Sequence, residues 1–513
     1  MRARDMKKVW LLAAENGVFP GGKVGGVGDV VRDLPLALAA SGLEVRVITP
    51  SYGMFHKLQG TMLYRRLRVE FSGRWFIVKI FQVPVEDHPV NYFVIEHPLL
   101  SPDGPGHIYV ADEDGKPYAV DAAKFAFFNA VVAAWINVSR SPPDALHLND
   151  WHTGLIPAIR AFGSPDLPLS QVRVVFTIHN LAYQGIRPLQ GDASSLEAWF
   201  PRLLEHTDHL KDPRYEDCVN FMASAIRLAD RINTVSPSYA LEILHPCDPG
   251  KGFSGGEGLE ADLNKAHDEG RLSGILNGCT YPDEPSPAPE WDELLELIAG
   301  HRDIIHCNCP VDEWLERWQG KRPRHLLLSI GRVAEQKVPL FLEPVAGYAT
   351  ALGAILSEAG PDSLFIMLGS GERTLEERFI SIALANDNFL YLRGYAETLS
   401  DKLYAAGDLF LMPSSFEPCG ISQMLAMRAG QPCVVHGVGG LKDTVEDGTT
   451  GFVFGGAWPS EQAENFVHAV LTALYIKQHD PKRWQDISNN AARHRFTWDA
   501  AAQAYQELLY NFD

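Results

Sequence analysis

Lys8-Val9-Trp10-Leu11-Leu12-Ala13-Ala14, followed by Gly21-Gly22-Lys23-Val24-Gly25-Gly26-Val27-Gly28-Asp29, decides the fold. The first stretch is a short apolar run with the composition of a strand. The second is a glycine loop leading into a helical pattern that sets Val30, Val31, Leu34, Ala37 and Leu38 on one face. Glycines between a strand and a helix let backbone N–H groups approach an anion at the positive end of the helix dipole. The spacing is neither G-x-G-x-x-G nor G-x-x-x-x-G-K-[ST], and the next strand ends in Thr49-Pro50 with no acidic ribose ligand. A plain glycine turn is the competing reading, to which Lys23 and Asp29 add ligand-facing groups.

Outward from this unit, short β-rich runs alternate with amphipathic helical stretches, the signature of parallel sheets covered by helices. The pattern occurs twice. Strands are expected near Lys8–Ala14, Glu44–Thr49, Ala145–Leu148, Val172–Ile178 and Arg231–Val235, and again near Leu326–Ile330, Leu364–Leu368, Phe389–Arg393, Leu409–Met412 and Cys433–His436. Between the halves, Tyr281–Trp291 carries Pro282, Pro285, Pro287 and Pro289, which suits an extended linker. The expected division is 1–273, 274–490, and a helical segment 491–513 that returns to the first domain. No repeat of solenoid or propeller period stands out.

The chain has 513 residues, of which 45 are Lys or Arg and 64 Asp or Glu, for a net charge of −19. That balance opposes a broad electrostatic grip on nucleic acid or anionic lipid. Hydrophobic residues at 46% are enough to bury sizeable cores. Seven scattered cysteines form neither a disulfide framework nor paired zinc spacing, so reduced thiols in a cytoplasmic setting are expected. Met1–Lys8 is basic, but the apolar run behind it meets Glu15 and reads as a strand, not a signal peptide. The helical stretches Ala126–Val138 and Leu340–Leu356 are interrupted by polar residues or proline, and neither reads as a membrane span.

In the second half, Gly331-Arg332-Val333-Ala334-Glu335-Gln336-Lys337 follows a strand directly. Arg offers a planar fork for phosphate oxygens and Lys a point charge, at the strand end where open α/β sheets bind ligands. Pro413–Gly420 places Glu417 between a strand and a helix, either to bind sugar hydroxyls or as a first-turn carboxylate favoured by the dipole. Gly437-Val438-Gly439-Gly440-Leu441 is a second glycine-lined helix start. Two such starts, one per domain, suit a diphosphate-sugar held between domains. His152 and His179 fall at strand ends and are read equally well as structural; they form no metal-binding pattern.

The motifs Lys23–Asp29, Asp150–Leu155, Thr177–Gly185, Thr234–Ala240, Gly274–Gly278 and Phe416–Gly420, in this order, resemble those of bacterial glycogen synthases and plant starch synthases. The resemblance implies an α/β chain of the GT-B fold, with two Rossmann-like doubly wound domains facing a cleft. It implies retaining transfer of glucose from ADP-glucose to the non-reducing end of an α-1,4-glucan, without metal or cofactor. By motif, His179, Arg332, Lys337 and Glu417 become catalytic candidates. Lys23, Gly25, Gly26, Asp29, Asn277, Gly439, Gly440 and Leu441 become donor-binding candidates, and Asp150, His152, Tyr183 and Gln184 acceptor-side ones.

The chain departs from the family pattern around the hinge, at Cys279-Thr280-Tyr281-Pro282, at Ala223 and Ala225, and at Val338-Pro339. The acidic Trp291–Glu296 and the unusual Cys307-Asn308-Cys309 are further departures. A small acceptor such as glucose 1-phosphate or a glycoside, or a weakly catalytic glucan-binding regulator, are the alternatives these changes leave.

Overall fold

The computed structural model describes residues 6–110, 112, 118–282, 287–301 and 311–512, excluding the side chains of 311 and 312. Pro285, Cys307 and Cys309 lie outside the described residues. The first sheet contains β1 (Lys8–Leu12), β2 (Glu44–Pro50), β3 (Met62–Phe71), β4 (Arg74–Val83), β5 (Asn91–Glu96), β6 (Ala145–Asn149) and β7 (Arg173–Ile178). A small antiparallel pair, β8 (Ile186–Pro188) and β9 (Cys218–Asn220), stands apart, and β10 (Arg231–Thr234) and β11 (Leu272–Gly274) complete the large sheet. Its order is β11-β10-β7-β6-β1-β2-β5-β4-β3, parallel except where β4 runs antiparallel to β5 and β3.

The second sheet is wholly parallel: β12 (His325–Ile330), β13 (Ser363–Leu368), β14 (Phe389–Leu392), β15 (Leu409–Met412), β16 (Cys433–His436) and β17 (Gly451–Phe454), in the order β14-β13-β12-β15-β16-β17. Both sheets are doubly wound, reversing direction beside β1 and β12. Ligands of such sheets bind outside the carboxyl ends of the strands at the reversal.

Residues of β1 alternate between two cores. Val9 and Leu11 pack with α1 (Gly26–Ala40) and the return segment Trp498–Tyr510, whereas Trp10 and Leu12 pack with α2 (Ala119–Asn137). By length and composition α2 is apolar enough to cross a membrane, but most of it is buried, and it carries the buried pair Lys124–Asp121 at 2.5 Å. It is the core helix of the first domain. Leu340–Leu356 is not one helix: Pro339–Leu342 and Ala351–Ala359 are separated by a turn at Val345–Tyr348 containing Gly347 (φ 83°).

The chain crosses between the sheets twice, and the crossings lie side by side. Cys279 N–H donates to Phe496 O at 2.8 Å, and Phe496 N–H donates to Tyr281 Oη at 2.8 Å. Arg495 stacks over Tyr281 at 4.3 Å, and Arg428 donates to Thr280 O. The return segment is anchored in the first domain by Tyr510 Oη to His147 Nδ1 at 2.7 Å and by Asn233 Nδ2 donating to Tyr505 Oη at 3.1 Å.

Candidate active site between the sheets

At the carboxyl end of β1, Glu15 is 3% exposed. Its Oε2 accepts the Val24 and Gly25 N–H groups at 2.8 and 2.7 Å, and its Oε1 accepts Tyr109 O–H at 2.9 Å. Two of the loop amides that the sequence offers to an incoming anion are therefore held by a carboxylate of the protein. Glu15 fixes the loop, and the exposed Lys23 and half-buried Asp29 supply its other charges. Lys23 Nζ meets Asp29 at 2.7 Å, and Arg32 meets the same carboxylate at 3.2 Å. A Cβ at Gly22 would stand 2.2 Å from Asn16 O, so backbone packing demands glycine there. At Gly26 it would meet nothing within 4 Å, and at Gly25 only the Glu15 carboxylate at 3.5 Å or beyond. These two glycines leave room that the protein itself does not fill.

Beyond β6, Asp150 adopts φ 54°, a strained backbone for a residue with a side chain and one typical of functional sites. Its Oδ1 accepts the His179 N–H at 2.7 Å, while His179 Nε2 lies 2.9 Å from Asn149 Oδ1. Burial pushes the Asp150 carboxyl up to about 7 and the His179 imidazole down to about 4, so this histidine is neutral near neutral pH. His152 is wedged among Trp151, Phe125 and Tyr109, and burial pushes it down to about 3. That environment favours a packing role for its ring.

Gln184, expected on the acceptor side, does not face the cleft. It is 6% exposed, its amide donates to Leu181 O and Glu257 O, and its oxygen accepts from Arg214 and Asn220. Every polar atom of the side chain is engaged in holding the fold. Tyr183, in contrast, is 50% exposed and edge-on to the exposed Tyr118 at 6.2 Å.

In the second domain, Arg332 is exposed and, among the described residues, has no hydrogen-bond or ion-pair partner. Lys337 Nζ sits 2.5 Å from Glu417 Oε2, with both side chains largely buried. Gln336 O accepts the Ser415 and Phe416 N–H groups at 3.0 and 3.2 Å, stitching the two loops together. The cation and the carboxylate are thus set by backbone as well as by charge.

Gly439, Gly440 and Leu441 do not form an open anion cradle. Gly439 N–H donates to Glu242 Oε1 of the first domain at 2.7 Å, Gly440 N–H to Glu417 O at 3.0 Å, and Leu441 N–H to Val438 O at 3.1 Å. A Cβ at Gly439 would lie 2.1 Å from Glu417 O and one at Gly440 2.2 Å from Cys419 O. These glycines let the helix Gly439–Thr444 press against the Glu417 loop. The first domain meets the second at the same place: Ser236 Oγ donates to Pro418 O at 2.6 Å, Tyr239 packs edge-on against Phe416, and Ser238 donates from N–H and Oγ to Asp443. Nearby, Asn277 is 5% exposed and its Oδ1 has no partner. A buried acceptor left unpaired costs about 1–3 kcal/mol, which a ligand hydroxyl would offset.

The structure therefore joins Lys337 to Glu417, Lys23 to Asp29, and Asp150 to His179. Among the described residues, no hydrogen bond or ion pair links Lys23 or Asp29 to Arg332, Lys337 or Glu417. Sequence reasoning missed Glu15 and Glu242. Glu15 was visible as the single charge between the first strand and Lys23, and Glu242 stands two residues past the quoted motif ending at Ala240.

Residues 8–265 match the family model for the starch synthase catalytic domain, and residues 324–475 that for glycosyl transferases group 1. The glycogen synthase of Anaeromyxobacter sp. (strain Fw109-5) is 35% identical over 97% of this chain and 98% of its own. That of Streptococcus uberis is 32% identical over 98% of each. Among solved structures, the catalytic domain of starch synthase IV from Arabidopsis thaliana, bound to ADP and acarbose, superposes with a TM-score of 0.78 at 27% identity, covering 99% of both chains. Sucrose-phosphate synthase from Thermosynechococcus elongatus, at 16% identity, shares the fold with a TM-score of 0.54 over 98% of both chains.

Proposed function

Because the chain belongs to the glycogen and starch synthase family, glycosyltransferases of the GT-B fold, we propose that it transfers glucose from ADP-glucose to the non-reducing 4-hydroxyl of an α-1,4-glucan with retention. The observation that carries this reading is Lys337 held 2.5 Å from Glu417 at the carboxyl edge of the second sheet, with Arg332 exposed on the same loop as Lys337 and without a partner among the described residues.

Breaking the anomeric bond builds oxocarbenium character on the sugar and negative charge on the departing diphosphate. Arg332 and Lys337 are the cations for that second charge, Lys337 held in place by Glu417, and the reading uses no metal ion. Glu417 faces the glucose and orients Lys337. Lys23, Asp29 and the space at Gly25 and Gly26 receive the donor from the first domain, and the free Oδ1 of Asn277 accepts a hydroxyl. Gly439, Gly440 and Leu441 act through the packing that seats Glu417. Neutral His179, braced by Asn149 and Asp150, lines the sugar site, and exposed Tyr183 offers an apolar face to the acceptor. His152 acts behind them as packing. The division into 1–273, 274–490 and a returning 491–513, and a cytoplasmic setting, belong to the same proposal.

The test incubates the purified protein with ADP-glucose or UDP-glucose and with glycogen, maltose or glucose 1-phosphate, following release of nucleoside diphosphate. Glycogen-dependent release from ADP-glucose supports the reading. Release only with a small acceptor moves the reaction, and glycogen binding without turnover replaces the enzyme by a regulator. Lys337→Ala and Glu417→Ala each reduce transfer by at least about a hundredfold, the usual loss of one electrostatic contact to the transition state, with an unchanged circular dichroism spectrum. Near-normal turnover in either variant would overturn the site.

A further inference from the structure

We propose that a second cleft, on the opposite edge of the first sheet, binds a small phosphate-bearing anion. The cleft has a volume of about 940 Å³ and lies where β7, β10 and β11 begin. Arg173 opens β7, Arg231 opens β10, and Arg271 immediately precedes β11. The active-site residues sit at the opposite, carboxyl ends of strands, so the cleft is separate from the site described above.

Arg160, Arg227 and Lys265 join these three to give six cations in the lining of a protein whose net charge is −19. The carboxylates in the same lining are all engaged. Asp230 pairs with Arg160 at 2.9 Å, Asp262 with Arg227 at 2.7 Å, Glu269 with Arg271 at 2.7 Å, and Asp208 with Lys211 at 3.1 Å. Among the described residues, Arg173, Arg231 and Lys265 form no ion pair with a carboxylate, although Asp230 attracts Arg173 and Glu269 attracts Lys265 at longer range. Arg173 donates its Nε–H to Leu509 O at 2.9 Å, and among the described residues the Arg231 guanidinium reaches only the Asp230 carbonyl, at 3.3 Å. Lys265 has no hydrogen-bond partner among the described residues.

Two half-buried guanidiniums side by side repel each other and are partly desolvated, a cost that an anion between them would offset. Burial, followed by repulsion from Arg231, holds Arg173 below its usual range. Guanidinium forks with a nearby ammonium are the donor set suited to phosphate oxygens, and the cleft has room for more than a bare ion. Because Arg173 also grips the carbonyl of Leu509, an occupant that engages this guanidinium reaches the end of the return segment directly.

The probe is inorganic pyrophosphate, titrated calorimetrically into the full chain at ionic strength held constant with potassium chloride. Binding is expected in the unsubstituted protein and in Arg332→Gln/Lys337→Gln, and is weakened at least about tenfold in Arg231→Gln/Lys265→Gln, which retains glucosyl transfer in the absence of the probe. Binding that survives in Arg231→Gln/Lys265→Gln, or no binding at millimolar pyrophosphate, overturns the proposal. Hydrogen exchange on the unsubstituted protein provides a readout free of folding effects. Pyrophosphate should slow exchange at 226–231 and 265–271, and unchanged exchange there also overturns it.

Discussion

The two glycine-lined helix starts look alike as sequence and are built for different work. At Gly25-Gly26 a Cβ would meet nothing closer than the Glu15 carboxylate at 3.5 Å, and the amides of Val24 and Gly25 are tied down by that same Glu15 of the first domain. At Gly439-Gly440 the space is filled by the backbone of the Glu417 loop, and the leading amide is held by Glu242 from the opposite domain. Glycine before a helix thus leaves open space in one case and allows a close approach of two backbones in the other. The two ties differ in permanence as well. Glu15 belongs to the loop segment it ties, whereas Glu242 reaches Gly439 from the other domain, so only the second tie would be broken by separating the two.

Alanine should separate the two most sharply. Gly439→Ala meets both a φ of 44° and an oxygen 2.1 Å from the new Cβ, so we expect a loss of about 2–4 kcal/mol in urea denaturation and transfer reduced to background as Glu417 shifts. Gly26→Ala should leave stability within about 0.5 kcal/mol while raising the donor KM about tenfold. Equal stability losses in the two variants would break the contrast.

Acid should also distinguish the regions. Beneath the first loop, burial pushes His147, His152 and His179 down to about 3, about 3 and about 4, whereas within 433–444 burial lowers His436, and His325, pushed down to about 4, sits at the far, amino end of β12. A histidine with a depressed folded pKa stabilises the fold fully above its unfolded value near 6.5 and loses that contribution as pH falls toward the folded one. Asp150 works in the opposite sense between about 4 and 7, because its folded pKa is raised. The net is roughly two histidines, at most about 2–3 kcal/mol per pH unit near pH 5. Hydrogen exchange at pH 5 against pH 7 should show protection lost from 145–179 before 433–444, and the reverse order would contradict this.

The smallest effect concerns the removable tie. Glu242→Gln keeps the shape of the contact with Gly439 but removes a charge that opposes an incoming diphosphate. We expect a donor KM lowered about threefold with little change in kcat, since charge-assisted contacts differ from neutral ones by roughly 1 kcal/mol. A raised KM would mean that Glu242 assists donor binding.

Ten of the parallel strands and the functional loops at their ends were legible because both follow from local pattern: an apolar run, a glycine or charged loop, and an amphipathic helix; the parallel β5, β11 and β17 were not among the expected strands. The β3–β4 hairpin was not, since its outward face carries Trp75 and Ile77 at 56% and 61% exposure and obscures the alternation of a half-buried strand. Residues 340–356 read as one helix because periodicity is blind to a turn closed by a single glycine. Lys337 with Glu417 was legible as two groups on neighbouring strand ends of one sheet. What the glycine amides bind was not, because Glu15, Glu242 and the carbonyls of the Glu417 loop are partners that only tertiary structure selects. Gln184 misled for the same reason: a polar side chain in a functional motif is spent inside the fold.

The paired crossings at Cys279–Tyr281 and Phe496 carry a mechanical consequence. Two segments of chain tied side by side lack the free swivel that a single flexible linker would allow. Any swing of one sheet against the other has to bend both crossings together, because Cys279, Tyr281 and Phe496 tie them at one level. A nick in either crossing would leave the halves attached by the other and cost the enzyme its alignment before its integrity.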